Sequence, residues 1–133
     1  MHRIFFVDDS STEQMFFKLL VRIKKLPLEV ETFFNPMSAL EALEAKSKEE
    51  WPDAIISDIK MPLMDGFQFA DAFQDKYFSQ NPSMLFFLCS SSIRSQDTER
   101  ADSHPAISCY LEKPLNEDKI NGQIISRLKQ KTF

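Results

Sequence analysis

The chain has 133 residues, enough for one compact domain with a single core and too few for two of ordinary size. Hydrophobic residues make up 43% and charged residues 27%, which excludes the weakly hydrophobic composition of a disordered chain. A net charge of −4 with no long Lys/Arg run speaks against nucleic acid as a direct ligand, because phosphate binding needs clustered positive charge.

In chain order, five short apolar segments are predicted strands: residues 4–7, 28–33, 54–57, 84–88 and 107–111. The first, third and fourth are almost continuously apolar, as in strands covered on both faces, whereas the second alternates like an edge strand. Helical spacing fills the intervals. The stripes are Phe16, Leu19, Leu20 and Ile23; Leu40 and Leu43; Phe69, Ala70, Phe73 and Tyr77; and finally Ile120, Ile124 and Leu128. Ser10, Ser11 or Thr12 can cap the first helix, Asp65 the third and Asn116 the fifth, while Pro27, Pro52 and Pro82 fall in connections. Residues 94–104 stand where the fourth helix belongs but carry almost no apolar stripe, so a short, weakly held helix is expected there. The whole reads as a β-α unit repeated five times in one domain over residues 1–133, with no output domain after the fifth helix.

Runs such as residues 84–89 are too short to cross a bilayer, and residues 1–7 lack the features of a signal peptide. No membrane insertion and a cytoplasmic location are therefore expected. Cys89 and Cys109 have no metal-ligand spacing and lie in apolar segments, where a free thiol behaves as a small core residue.

Alternating strands and helices imply a parallel sheet with right-handed crossovers, and such sheets bind ligands beyond the carboxyl ends of their strands. At those ends stand Asp8 and Asp9 after the first strand, Asp58 closing the third, Ser90 after the fourth and Lys113-Pro114 after the fifth. Three carboxylates so placed are hard oxygen ligands suited to Mg²⁺. With their charge offset, Asp58 can act as a carboxylate nucleophile toward phosphorus. Lys113 and the Ser90 hydroxyl are suited to the phosphoryl oxygens.

These residues lie in Val7-Asp8-Asp9-Ser10, in the run from Ser57-Asp58 through Lys60-Met61-Pro62 to Asp65-Gly66, in Leu88-Cys89-Ser90-Ser91 and in Tyr110-Leu111-Glu112-Lys113-Pro114-Leu115. Together they resemble the receiver motifs of two-component response regulators, the CheY-like superfamily, over essentially the whole chain. The resemblance implies a flavodoxin-like, doubly wound five-stranded parallel sheet with five helices and the order general to flavodoxin-like folds, 2-1-3-4-5.

It further implies a phosphorylated Asp58 and a Mg²⁺ site, which Mn²⁺ could also fill, made by Asp8, Asp9, Asp58 and the backbone carbonyl of Lys60. Ser90 and Tyr110 become a switch pair, and a cis peptide is implied before Pro114, X-Pro being the bond where cis costs little. The implied partners are a sensor histidine kinase or histidine phosphotransfer protein and a downstream protein effector. The effector would be met on the face of the fourth helix, fifth strand and fifth helix. On this reading the chain is a signalling switch rather than an enzyme, catalysing only its own phosphorylation and dephosphorylation.

Two features depart from the pattern: Ser90 stands where threonine is commoner, and residues 101–106 replace a small Gly/Ala turn. Taken singly, the motifs are bland. Asp8-Asp9-Ser10 is an ordinary helix cap, Asp58 a turn residue and Lys113-Pro114 a loop; their joint occurrence reverses the odds. Asp65-Gly66 reads as turn and cap with a structural role alone, and His2 and His104 read as isolated residues. A phosphatase acting through an aspartyl phosphate is the competing enzyme reading. Such enzymes usually carry a second aspartate two residues after the nucleophile, where this chain has Lys60. A degenerate, phosphorylation-independent domain normally lacks part of the acidic pair, the acceptor or the lysine, and all are present.

Overall fold

A computed structural model describes residues 1–91 and 94–130. Five strands, β1 (His2–Val7), β2 (Leu28–Phe33), β3 (Ala54–Asp58), β4 (Leu85–Ser90) and β5 (Cys109–Glu112), form one parallel sheet of order β2-β1-β3-β4-β5. Five helices connect and cover them: α1 (Ser11–Ile23), α2 (Pro36–Ala45), α3 (Gly66–Phe73), α4 (Ser95–Ser103) and α5, which begins as Glu117–Lys119. The helical rod of α3 widens into a π-helical turn at Gln74–Phe78, and α5 runs through a π-helical stretch, Ile120–Ile125, before closing as Ser126–Gln130. The flavodoxin-like arrangement agrees with the expectation, including the edge position of β2.

Strand alternation divides the core between the two faces of the sheet. Phe5, Val7, Ile55, Phe86 and Leu88 point toward α2, α3 and α4, and are met by Leu43, Phe69 and Phe73. Ile4, Phe6, Ile56, Phe87 and Leu111 point the other way, toward Phe17 and Val21 of α1 and Ile120, Ile124 and Leu128 of α5. The rings of Phe69 and Phe73 both lie against Phe86, with centroids 5.2 and 5.3 Å away, which seats α3 on β4.

Helix starts follow the chemistry of their caps. Ser10 accepts the Glu13 N–H at 3.2 Å, Asn35 the Ser38 N–H at 2.8 Å and Asn116 the Lys119 N–H at 2.9 Å. Asp65 forms a reciprocal capping box with Gln68 at the head of α3.

The expected inward stripe of α1 is corrected by the structure. Gln14, Phe17 and Val21 face the core, while Phe16 and Ile23 are exposed. The helix carries apolar residues on two faces, so spacing alone does not say which one meets the sheet.

Candidate functional site

The carboxyl ends of the strands bring the sequence-derived residues together. Asp8 follows β1, Asp58 ends β3, Ser90 ends β4 and Lys113 follows β5. Single carboxylate oxygens of Asp8, Asp9 and Asp58 all lie within 4.8 Å of one another. Asp8 is buried, Asp58 half-buried and Asp9 exposed.

Lys113 Nζ donates to Asp8 Oδ2 at 2.9 Å and lies 3.5 Å from Asp58 Oδ2. The other oxygens accept backbone bonds, Asp8 Oδ1 from Ser10 N–H at 2.9 Å and Asp58 Oδ1 from Ile59 N–H at 2.8 Å. Lys113 is held in turn by its own N–H, which donates to the Ser90 carbonyl at 2.8 Å. Its peptide bond to Pro114 is cis, as the resemblance implied.

The electrostatics of this cluster are strained. Burial pushes the Asp58 carboxyl above its ordinary pKa; Lys113 opposes the shift and the neighbouring Asp8 adds to it. Burial also works against the charge of Lys113, yet its bond to Asp8 and the charges of Asp58 and Asp8 outweigh that and hold its pKa up. Two like charges 4.8 Å apart repel by about 3 kcal/mol at an effective dielectric of about 20. Three carboxylates against one ammonium leave two negative charges uncompensated, which is the charge of one divalent ion. Oxygen-only donors on two strand ends, one of them open to solvent, suit Mg²⁺, which retains several waters. The residues present therefore fit that ion.

Ser90 is buried at the end of β4, and Tyr110 is half-buried on the neighbouring strand β5. Burial raises the Tyr110 pKa, with the Ser90 hydroxyl pulling the other way. Lys60 lies in the turn two residues beyond Asp58 with its side chain exposed. Cys89 is fully buried, and burial drives its thiol pKa far up, which agrees with an inert core role.

Three features were not foreseen. Gln14, buried on α1, donates to the carbonyls of both Asp8 and Phe33 at 2.9 Å, tying the ends of β1 and β2 together beneath the acidic pair. Its place on the Phe17/Val21 face is the signal that could have exposed it. Gly66 is more than a turn residue: a Cβ there would fall 2.5 Å from the Asp58 carbonyl oxygen and 2.8 Å from Leu88 Cδ2. His104, expected to be isolated, bonds Asp71 at 2.8 Å and accepts the Ala106 N–H at 3.1 Å.

The fold has counterparts among solved structures. The chain resembles a two-component response regulator from Cytophaga hutchinsonii (TM-score 0.84, 22% identity, 96% of each chain). It also resembles the chemotaxis response regulator CheY4 of Vibrio cholerae (TM-score 0.78, 23% identity, 96% of this chain and 98% of that one). These likenesses are of fold.

Among curated relatives, a protein-glutamate methylesterase/protein-glutamine glutaminase of Anaeromyxobacter dehalogenans is 41% identical over 69 residues, 52% of this chain and 18% of that protein. The sensor histidine kinase CheAY of Helicobacter pylori is 27% identical over 124 residues, 92% of this chain and 14% of that protein. The chain thus spans less than a fifth of either relative's length. The family model for the response regulator receiver domain matches residues 4–125. With the sheet order and the site at its strand ends, that match shows that the chain belongs to the response regulator receiver domain family of two-component signalling.

Proposed function

We propose that the chain is switched by transfer of a phosphoryl group to a carboxylate oxygen of Asp58, and that a protein partner reads the result. One observation carries this reading: Asp58 Oδ2 lies 3.5 Å from the Lys113 ammonium inside a cluster whose three carboxylates also fit a divalent cation. In the transfer an Asp58 oxygen forms the new bond to phosphorus as the donor's bond to phosphorus breaks, and the leaving group keeps that electron pair.

Mg²⁺, or Mn²⁺ in its place, would be held by Asp8, Asp9, Asp58 and the carbonyl of Lys60, and when bound supplies positive charge to the transferring oxygens. Lys113 is placed to stabilise those oxygens from the other side as a point charge. The Ser90 hydroxyl would leave Tyr110 to donate to the phosphoryl group, releasing the ring and changing the face made by α4, β5 and α5.

The donor is a histidine kinase or histidine phosphotransfer protein, in keeping with the histidine kinases among the relatives. A largely apolar groove of about 480 Å³, lined by Phe16, Leu20, Pro114 and Leu115 with Lys113 at its edge, offers such a protein a foothold beside the site. Exposed Phe16 and Ile23 extend this surface along α1. No described helix is long and apolar enough to cross a membrane.

Incubation with acetyl phosphate and Mg²⁺, followed by intact-mass measurement, tests the reading. One phosphoryl group should be added, and none when the metal is chelated; uptake that is indifferent to chelation contradicts it.

A further inference from the structure

The α4 helix is a nine-residue segment with one buried side chain, Ala101, and no side-chain cap at its N-terminus. A lone buried methyl group adds little, and helices this short do not persist on propensity alone. Something other than apolar burial must hold it.

Two side-chain contacts to α3 add to the packing of α4 beside β5. The Arg100 guanidinium lies over the Phe67 ring, 4.2 Å from its centroid. The His104 ring, at the C-terminal cap of α4 and nearly buried, meets Asp71 Oδ1 at 2.8 Å. Because His104 Nδ1 accepts the Ala106 N–H, the ring proton sits on Nε2 and is donated to Asp71.

Phe67 and Asp71 are four residues apart on α3, as Arg100 and His104 are along the α4 segment, so each pair occupies one helical face. The contacts form two rungs between facing helices. The α3 end of this ladder is anchored at the site, since Phe67 follows Gly66, whose backbone packs on the Asp58 carbonyl.

We infer that the rungs Arg100–Phe67 and His104–Asp71 form a clasp that holds α4 against α3 and sets how readily α4 opens. A helix fastened by two polar contacts and a single buried side chain, Ala101, can be released while uncovering little more of the core than Ala101 and the Phe67 ring. Its attachment point lies on the element in contact with the acceptor strand. The regulatory meaning of the clasp rests on Asp58 as acceptor, but its existence does not.

The test is amide exchange of unphosphorylated protein without any phosphodonor. Asp71 and Arg100 are exposed, so Asp71→Ala and Arg100→Gln should both fold. Each should speed exchange over residues 95–103 at least fivefold, and the double variant further. Exchange in β1 and β3 and the urea midpoint of global unfolding should stay near those of the parent. Exchange over 95–103 that is unchanged in both variants, or that rises only in step with the whole sheet, overturns the clasp. Since no phosphoryl group is involved, that failure is separate from a failure of phosphoryl uptake at Asp58.

Discussion

A side chain on Gly66 would occupy the space already filled by the carbonyl oxygen of Asp58, since a Cβ there falls 2.5 Å from that atom. The Gly66 N–H also donates to the Ile59 carbonyl at 2.8 Å, so the first turn of α3 lies directly on the strand end that carries the proposed acceptor. Gly66→Ala must push apart backbone, not a pliable side chain. It should destabilise the fold by about 1–3 kcal/mol, seen as a lower urea midpoint at unchanged slope. Parental stability would show that the loop yields freely and that α3 is not fixed to the acceptor.

The raised pKa of Asp58 sets a pH dependence with a definite sign. An acid that keeps its proton longer in the folded than in the unfolded state binds more protons when folded. Without divalent cation, stability from this group is therefore present below the unfolded value of about 3.9 and is lost as pH rises through the folded value. Asp58→Asn keeps the acceptor of the Ile59 N–H while removing the charge. At neutral pH and in chelator it should raise Tm by roughly 2–5 °C, and it should blunt the rise that Mg²⁺ gives the parent. Calorimetry across pH, with and without Mg²⁺, measures both; a lower Tm for the variant in chelator would contradict the strained-cluster account.

Lys113 bonds Asp8 and approaches Asp58, so it both prepares the site and competes with a cation for the same oxygens. Lys113→Met should tighten Mg²⁺ binding in a calorimetric titration while slowing phosphoryl uptake by roughly a hundredfold. Weaker Mg²⁺ binding in the variant would mean that the ammonium does not compete for those oxygens.

Ser90 on β4 lowers the burial-raised pKa of Tyr110 on the neighbouring strand β5, which couples the two side chains. Ser90→Ala and Tyr110→Phe should each cost on the order of 1 kcal/mol, and the double variant should cost less than the sum of the two. Full additivity in urea unfolding would show that the two hydroxyls are not energetically coupled.

Much of the sheet was legible because its strands are short apolar runs between turn residues, and residues 28–33 were placed to the residue. The acidic pair, Asp58 and Lys113 were legible for the same reason: a parallel sheet carries all its strand ends to one edge, so position along the chain gives position in space. Helix-to-helix relationships were less so. The contacts of His104 with Asp71 and of Arg100 with Phe67 join segments 33 residues apart whose alignment is set by how α3 and α4 sit on the sheet. The inward face of α1 was misjudged because Phe16 and Phe17 are neighbours of equal hydrophobicity, and only the position of β1 decides between them. β5 begins at Cys109 rather than two residues earlier, since Ser108 donates its N–H to the Phe86 carbonyl and accepts the Phe86 N–H on its side chain.

The proposed phosphoryl transfer to Asp58 has a direct chemical signature. An acyl phosphate is reduced by borohydride to an alcohol, which at an aspartate leaves homoserine. Phosphorylating the protein with acetyl phosphate and Mg²⁺, reducing it and sequencing its peptides by tandem mass spectrometry should place homoserine at residue 58. Homoserine at residue 8 or 9, or none in a chain whose mass shows that it took up phosphate, would contradict the assignment.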